Sequence, residues 1–510
     1  MNSAFYKTTV GILSIVTVIF LFLLLFARLD LGLLRYFDAD ELAYLHWAHN
    51  VFTGRLPYRD FFFYVPPGFL WFLAPLFLWV KGSAILSVSR VIAFVIFVLL
   101  GAIVGMVLRQ IRKPVYAFES LWVLLLPASV LAFLPLPADK MLEMRPDTIA
   151  TVVAFVGLYL QILWFERQEK KFAWWSGVAY GASLLLLPKS LPQAVVATVV
   201  ACIVAPQISK RFSQLYIFLL GIGIPLCIFG GWILMVSRNA SDVQLILYSL
   251  TKLPLEVNKI GQLFPMQPDL FFYPNNIYYG VGGWSRGLIA NHAIWMIGLL
   301  FGMGRFITPW IAGKNKIGAW IEILIGGTFL AYIVTFIYGY PLRHAQYLIP
   351  IAVFVSMYVG DMIWSIWRML GRRGWASGIF VIGYMVCIVV LLGVSAEVNS
   401  PKRLWTNTED IHTLEFALRT IPKDSYVLDL VGATIYFQDP AYGCCLPLGQ
   451  YSSFLSRPVN LLSDGMRRTK PAYIYQGRLY RLNEIAPIDR QYVETIYKPL
   501  TGDGTWLVRK

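Results

Sequence analysis

Charged residues are scarce in this chain of 510 residues. Lys, Arg, Asp and Glu make up 14% of it, whereas hydrophobic residues make up 58%. A soluble protein carries about 25% charged residues, because its surface has to stay in water. The composition therefore excludes the soluble globular, disordered and fibrous classes, and it predicts a polytopic membrane protein.

Acidic residues are fewer than basic ones, 28 against 43, which gives a net charge of +15. Lys and Arg collect in the cytoplasmic loops of membrane proteins, so this excess needs no polyanionic partner. We expect a lipid bilayer around the chain and no nucleic acid. Cysteine is also rare, with five residues and no CxxC. A disulfide framework is therefore not expected, and no nucleotide-binding, zinc-protease or serine-hydrolase motif stands in a convincing context.

Long apolar runs recur from the N-terminus to residue 395. A span needs about 17–25 residues, and eleven runs qualify. They lie near residues 8–27, 84–108, 116–134, 149–165, 173–188, 190–206, 215–236, 289–311, 318–338, 346–366 and 376–395. The first lacks a cleavage site and is interpreted as an uncleaved span. A twelfth run, Pro66–Val80, is shorter and is typical of an interfacial or re-entrant segment.

Basic residues support eleven spans. With a cytoplasmic N-terminus, the Lys and Arg clusters at residues 109–113, 167–171, 210–211, 314–316 and 368–373 all fall in inside loops. Counting Pro66–Val80 as a span would move these clusters outside. The pattern predicts a plasma (inner) membrane protein of bacterial or archaeal type.

Three segments then face outside: the first loop (residues 28–82), a second loop (residues 237–288) and the C-terminal segment (residues 396–510). The C-terminal segment has 26 charged residues in 115, against 45 in the preceding 395. This change of composition predicts a transmembrane module over residues 1–395 followed by a small extracytoplasmic α/β domain. A helix is expected from Thr408, and strands at Tyr426–Leu430, Ala472–Tyr475 and Trp506–Arg509.

Three acids, Asp38, Asp40 and Glu41, follow the first span directly. Asp38 and Glu41 have the spacing of a capping box for a helix that runs to about Thr53. Asp40 is not needed for capping. The alternative to capping is a carboxylate that acts as a general base at the membrane surface.

Such a site needs cations for a departing phosphate, and Arg55, Arg59 and Lys81 follow in the same loop. Aromatic residues lie between these cations. We expect the three phenylalanines at positions 61–63 to form an interfacial aromatic belt.

The order of motifs in this loop resembles the first external loop of GT-C glycosyltransferases. Asp40-Glu41 is followed by Gly54-Arg-Leu-Pro-Tyr-Arg-Asp60 and then by Pro66-Pro67. The similarity is to bacterial enzymes like protein O-mannosyltransferases and lipid A aminoarabinose transferases. The similarity is strongest over residues 36–80. Weaker matches follow at Met144-Arg-Pro-Asp147 and at Arg343-His-Ala-Gln-Tyr347.

The resemblance implies a polytopic α-helical GT-C fold and an enzyme that takes a sugar from a polyprenyl-phosphate carrier. It implies that Asp40 activates the acceptor, with Glu41 beside it, although Asp38 is an alternative equivalent. Lys189 and Arg343 are the candidates that it adds for the donor phosphate. Arg145, Asp147 and His344 are secondary candidates, and Arg145 and Asp147 have an alternative role in starting a span.

The sequence neither requires nor excludes a divalent cation such as Mg²⁺ or Mn²⁺, and it shows no dedicated metal ligands. His46 and His49 have the spacing of an amphipathic surface more than that of a ligand pair. The acceptor (lipid, glycan or protein) and the sugar stay open. Other hypotheses are a polysaccharide polymerase or ligase with a diphosphate-linked donor, a lipid or sugar transporter or flippase, and a membrane anchor. Glu322 and Asp361 are poorly placed for a central transport pathway.

Overall fold

A computed structural model describes residues 3–208, 213–259, 292–312, 316–340, 345–371, 374–443, 455–456, 461–477 and 485–510. Within these ranges, long helices occupy the positions of all eleven predicted spans. They are Ser3–Leu34, Ala84–Arg112, Ala117–Phe133, Pro146–Arg167, Lys170–Leu186, Leu191–Ile208, Ser213–Val236, Ile294–Ala312, Lys316–Val334, Ile349–Leu370 and Gly374–Asn399. The chain is a multi-pass membrane protein.

Nine helices in the described ranges are long and apolar enough to cross a bilayer. The helices Ala117–Phe133 and Lys170–Leu186 have 17 residues each, which is about 25 Å. They lie among the longer helices. A Cβ atom on Gly177 would lie 2.1 Å from the carbonyl oxygen of Phe218. Glycine therefore allows the helices Lys170–Leu186 and Ser213–Val236 to touch backbone to backbone.

The first loop is built around one helix, Ala39–Phe52, which we call the loop helix. It follows Ser3–Leu34, which extends beyond the predicted end of the first span. The loop helix ends at Thr53 and is followed by Gly54, whose φ of 86° suits glycine. The apolar run after it forms two short helices, Gly68–Leu73 and Ala74–Leu78. Together they are too short to span a bilayer.

The prediction of an aromatic belt in the first loop is wrong. Phe61, Phe62 and Phe63 are buried, with exposed fractions of 1%, 5% and 0%. The C-terminal segment covers them: the backbone N–H of Phe62 donates to the carbonyl oxygen of Tyr442 at 2.9 Å. These side chains belong to the protein core because a distant part of the chain folds over the loop.

The C-terminal segment contains a four-stranded sheet. Its strands are β1 (Val427–Asp429), β2 (Tyr473–Tyr475), β3 (Tyr497–Pro499) and β4 (Trp506–Arg509). The spatial order is β1-β2-β4-β3, with β1 parallel to β2 and the other neighbours antiparallel. The α-helices that follow residue 400 in the described part of the segment are Thr408–Thr420, Leu462–Thr469 and Pro487–Ile496. The sequence predicted the helix at Thr408, β1, β2 and β4, but not β3 or the other two helices.

The two faces of this sheet have different partners. Successive side chains of a strand point to opposite faces. Leu428, Ile474 and Leu507 pack into a core that lies within the C-terminal segment. Tyr475 and Trp506 join a second core, which includes the loop helix. The C-terminal segment therefore shares one of its two cores with the first loop.

A buried ion cluster joins the C-terminal segment to the first helix. Arg28, 1% exposed, donates to Asp139 at 3.0 Å and also to the backbone carbonyls of residues 132–134. Lys402 contacts the same carboxylate. A buried charge without a partner is strongly destabilising. This cluster therefore holds the start of the C-terminal segment against the helix Ser3–Leu34.

Candidate active site

The N-terminus of the loop helix explains the arrangement of its three acids. Asp38 is the N-cap residue and Glu41 completes a capping box, as the sequence predicted. The Asp38 side chain accepts from the N–H of Asp40 at 3.0 Å, and Glu41 accepts from the N–H of Asp38 at 3.1 Å. The side chain of Asp40 has no part in the cap, and 48% of it is exposed.

Glu41 is a structural anchor in this arrangement. Its carboxylate is fully buried and accepts from Arg90 at 2.6 Å and from the N–H of Met144 at 2.8 Å. Arg90 lies inside the helix Ala84–Arg112 and also donates to the carbonyl oxygens of Gly32 and Tyr36. The start of the loop helix is therefore fixed to two spanning helices and to the segment before Pro146.

Residues 140–147 face the loop helix. Their charged side chains and those around the start of the loop helix form a network of ion pairs, which we call the charge cluster. Glu143 is fully buried and pairs with Arg35 at 2.7 Å, Lys140 at 2.8 Å and Arg145 at 3.2 Å. Arg145 also reaches Asp40 at 2.5 Å. The charge cluster has five acids and five bases: Asp38, Asp40, Glu41, Glu143, Asp147, Arg35, Arg90, Lys140, Arg145 and Lys189.

Asp38 is held as a carboxylate. Burial opposes its ionisation, but Lys140 and Arg145, each at 3.4 Å, outweigh burial and hold the pKa of Asp38 well below its usual range. Asp38 therefore has two cationic partners and a capping role. Among the described residues, Asp40 has one cationic partner, Arg145, and its side chain has a larger exposed fraction than that of Asp38, 48% against 29%.

The second part of the site lies where the helix Pro146–Arg167 begins. Asp147 accepts from Lys189 at 2.9 Å and lies 3.9 Å from Arg145. The Lys189 ammonium also lies 4.0 Å from the ring centre of Tyr347, a favourable cation–π distance. Arg145 and Lys189 therefore flank one carboxylate, and 29% of the Lys189 side chain is exposed.

A narrow crevice opens beside Lys189. Its walls include Asp147, Tyr332, Tyr340 and Tyr347, and its volume is about 20 Å³. That volume holds about one water molecule. A sugar can enter this crevice only if the tyrosine wall moves.

The other predicted phosphate ligands do not lie near Asp40 in the described residues. Arg55 donates to Asn50 at 3.0 Å and to the carbonyl oxygen of Asp60 at 2.9 Å, and Arg59 pairs with Asp60. Both arginines follow the C-terminal end of the 14-residue loop helix, about 20 Å from its start. Lys81 is exposed after the short apolar helices. Arg343 and His344 lie outside the described residues.

The two histidines of the loop helix face the C-terminal segment, and His46 is buried. Nε2 of His46 lies 2.6 Å from Asp439, while His49 packs against Phe77 and Tyr436. Burial, and then the neighbouring His46, lower the pKa of His49 to about 4. The expectation of an exposed amphipathic histidine face is wrong, because the C-terminal segment covers it.

Sequence reasoning missed Arg35, Arg90, Lys140 and Glu143. Arg90 could have been identified from the sequence, because an ionisable residue inside a predicted span is expected to have a buried partner. Lys140 and Glu143 lie in a short connection between two spans, where charged residues are easily assigned to solvent.

Another charged group lies at the end of the bundle opposite the loop helix, which we call the far end. Arg112 binds Asp361 through two 2.5 Å contacts, and Arg305 binds Glu322 at 2.5 Å. A cavity of about 550 Å³ opens beside these side chains. Both carboxylates therefore have arginine partners.

No protein-family model and no curated protein matches this sequence. Solved structures match it over almost its whole length. ArnT from Cupriavidus metallidurans bound to undecaprenyl phosphate is 14% identical, with a TM-score of 0.55 over 97% of each chain. The apo Archaeoglobus fulgidus oligosaccharyltransferase is 11% identical, with a TM-score of 0.52 over 97% of this chain and 73% of that chain.

A third structure is AglB from Archaeoglobus fulgidus in complex with an inhibitory peptide and a dolichol-phosphate. It is 12% identical to this chain, with a TM-score of 0.50, and the match covers 97% of this chain and 74% of AglB. At such low identity these similarities concern the fold. The chain has the GT-C fold, as the motifs of the first loop predicted.

Proposed function

We propose that this protein is an integral-membrane glycosyltransferase that takes a sugar from a polyprenyl-phosphate-linked donor. The fold is shared with ArnT, crystallised with undecaprenyl phosphate, and with AglB, crystallised with dolichol-phosphate and a peptide. We call the end of the helix bundle that carries the loop helix the loop end. The distribution of basic residues favours the non-cytoplasmic side of the plasma membrane for this end. The acceptor class (lipid, glycan or protein) stays open in this proposal.

One observation carries the proposal: Asp40 is a half-exposed carboxylate on a rigidly held helix end. The acids around it, Asp38, Glu41 and Glu143, are committed to capping or to buried ion pairs. A general base has to reach its substrate in a fixed geometry. Asp40 combines exposure with a helix whose start is bound to three other parts of the chain.

Arg145 and Lys189 are the proposed ligands of the donor phosphate. Arg145 binds Asp40 in this structure, so an arriving phosphate competes with Asp40 for the same guanidinium. Phosphate binding would then release the Asp40 carboxylate from Arg145 and leave it free to turn toward the acceptor. Arg55 and Arg59 are not included, since the loop helix separates them from Asp40.

The proposed reaction is a single displacement with inversion. Asp40 takes the proton of an acceptor hydroxyl while the acceptor oxygen forms a bond to the anomeric carbon. The bond from that carbon to the phosphate oxygen breaks, and its electron pair leaves with the phosphate. Arg145 and Lys189 stabilise the charge that grows on the phosphate in the transition state.

The reaction is built from the protein's own cations. The described residues contain no group of three His, Cys, Asp or Glu side chains that could hold a metal ion. Asp38 and Asp40, the most exposed acids of the charge cluster, are already bound to Lys140 or Arg145. We therefore derive no step through Mg²⁺ or Mn²⁺.

The rival functions have less support. At the far end, Glu322 and Asp361 are neutralised by Arg112 and Arg305, which does not favour a proton or ion pathway. A polymerase or ligase with a diphosphate-linked donor shares the need for a base and cations. The donor specificity of the purified protein separates it from the proposed function.

The test is sugar transfer by purified protein in lipid, with polyprenyl-phosphate sugars and diphosphate-linked oligosaccharides offered in parallel. Crude envelope serves as acceptor. The variants are Asp40→Asn and, as a control, Glu415→Gln. Glu415 is also a partly exposed acid with an Arg neighbour, 3.6 Å away, but it lies in the C-terminal segment. Transfer from a monophosphate donor by the wild type and the control, and not by Asp40→Asn, supports the proposal. Full activity of Asp40→Asn contradicts it.

A further inference from the structure

The second half of the loop helix is bound to the C-terminal segment by a buried ion pair. His46 is 1% exposed, and its Nε2 lies 2.6 Å from Oδ2 of Asp439. Two acceptors do not approach so closely, so one proton lies between them. On the other side of the ring, Nδ1 lies 3.2 Å from the carbonyl oxygen of Ile435.

The backbones of the two parts also touch directly. Gly432 has a φ of 81°, and a Cβ atom there would lie 2.9 Å from Cα of Ala43 and 3.0 Å from the carbonyl oxygen of Leu42. Asp429 holds this turn by accepting from the N–H groups of Val431 at 2.8 Å and Thr434 at 2.6 Å. Only glycine at position 432 therefore allows the turn to lie this close to the backbone of the loop helix.

Further contacts lie on both sides of the loop helix. Before it, the N–H of Phe37 donates to Asp410 at 2.8 Å. After it, the hydroxyl of Tyr442 donates to the carbonyl oxygen of Tyr58 at 2.6 Å. The C-terminal segment thus binds the chain ahead of Asp38, the middle of the loop helix and the chain beyond it.

We infer that the C-terminal segment is a positioning element of the catalytic site, and that the His46–Asp439 pair is its principal contact. This inference rests on the proposed function. His46 lies six residues from Asp40 on the same helix, about 9 Å along its axis. A shift of the helix at His46 moves Asp40 relative to Arg145. His46 is a positioning residue, since Asp40 and not His46 lies at the charge cluster.

The electrostatic surroundings of His46 agree with an ionised pair. Burial disfavours its charge, but Asp439, and then Asp429, outweigh burial and raise the pKa of His46 above its usual value. Arg55 acts against the charge from the loop side. The positive ring is thus held mainly by carboxylates of the C-terminal segment.

The test compares three variants of the full-length protein in lipid. His46→Gln removes the positive charge of the pair. Asp439→Asn removes the negative charge but keeps an acceptor oxygen, so it should act as a milder, conservative change. Asp489→Asn is the matched control. Asp489 is also a buried acid of the C-terminal segment, 3% exposed, but it accepts from the N–H groups of Leu462 and Ser463 and not from the loop helix.

Two readouts are needed. Backbone hydrogen exchange over residues 39–52 reports the mobility of the loop helix without substrate. We expect His46→Gln to raise it about tenfold or more, and Asp439→Asn to raise it less. The kcat for sugar transfer should fall about tenfold in His46→Gln with an unchanged donor KM, because a small displacement of a catalytic group lowers the rate of the chemical step. Asp489→Asn should leave both readouts close to wild type.

Unchanged exchange in both pair variants overturns the inference, and so does an equal increase in Asp489→Asn. If His46→Gln does not fold, Asp439→Asn against Asp489→Asn still decides the question. The two proposals fail separately. Absence of transfer by the wild type contradicts the proposed function, whereas hydrogen exchange tests the positioning contact independently of activity.

Discussion

The loop end and the far end of the helix bundle both contain tightly paired acids and bases, and they differ in what those pairs leave accessible. At the far end, Arg112 and Arg305 bind Asp361 and Glu322, and the two carboxylates are only 1% and 15% exposed. At the loop end, Asp40 is 48% exposed and Lys189 is 29% exposed. The cations do not distinguish the two ends, because Arg305 at the far end is 27% exposed, but only the loop end offers a half-exposed carboxylate among the pairs compared.

By cavity volume alone, the far end would be the better candidate for a binding site. The far-end cavity holds about 550 Å³, whereas the crevice beside Lys189 holds about 20 Å³. The far-end cavity is lined by exposed cations such as Lys113, but the carboxylates described in its lining, Glu166 and Glu322, are only 17% and 15% exposed, so neither is as accessible a general base as Asp40. A small crevice beside a half-exposed carboxylate can become a site if its aromatic wall moves. The exposure of the carboxylates, more than the volume of the cavities, therefore distinguishes the two ends as candidate sites.

The largest expected difference between the ends is in turnover. Asp40→Asn should lower kcat by about 10² or more, which is typical of the loss of a general base. Glu322→Gln at the far end should leave kcat within about twofold, since Glu322 contacts only far-end arginines in the described residues. Both are measured as initial rates of sugar transfer per folded molecule. Equal losses in the two variants would remove the distinction between the ends.

The far end should matter for stability instead. Asp361→Asn leaves Arg112 with a weakened partner in a buried place, and breaking such a pair costs about 3 kcal/mol. We expect the free energy of unfolding to fall by about that amount, with little change in kcat of the folded protein. The midpoint of unfolding by added SDS in mixed micelles measures the effect. A stable Asp361→Asn variant with reduced transfer would instead place the chemistry at the far end.

The next effect concerns donor binding. Lys189→Met should raise the donor KM about tenfold, the expected loss of one hydrogen bond to a charged phosphate. Lys113→Met is the far-end control, because Lys113 also pairs with an acid, Glu166 at 2.9 Å. Its donor KM should stay at the wild-type value. An unchanged KM in Lys189→Met, measured over a donor titration, would exclude Lys189 as a phosphate ligand.

The sequence predicted much of the loop end because its signals are local. Hydrophobic length predicted the positions of eleven helices, of which nine in the described residues are long and apolar enough to span a bilayer, and the spacing of Asp38 and Glu41 predicted the capping box. Arg55 and Asp40 were grouped because they are close in sequence. The length of a 14-residue helix, about 21 Å, already separates them. Helix geometry applied to the predicted helix would have shown this separation.

Long-range pairing could not be predicted from these patterns. His46 and Asp439 are 393 positions apart, and nothing near either residue indicates the other. Strand β3, Tyr497–Pro499, has only three residues and contains a lysine and a proline, so it lacks a strand pattern. Its place depends on pairing with β4. Such features follow from tertiary packing, which overrides local preference.

The smallest expected effect is the dependence of stability on pH, which should differ between the two ends. The pKa of His46 is raised above its value in the unfolded chain, because Asp439 and Asp429 outweigh the opposing effects of burial and of Arg55. A raised pKa means that the stabilisation is fully present below the unfolded value of about 6.5. It is lost as the pH rises through the folded value. Unfolding midpoints between pH 6 and pH 10 measure the loss.

Two variants sharpen this comparison. Asp439→Asn removes the main cause of the raised pKa, so its stability should fall less steeply over that range than the stability of the wild type. Asp361→Asn should run parallel to the wild type at a lower level, because this substitution leaves the His46–Asp439 pair in place. An Asp439→Asn curve that falls as steeply as that of the wild type would mean that the pH dependence does not come from the His46–Asp439 pair.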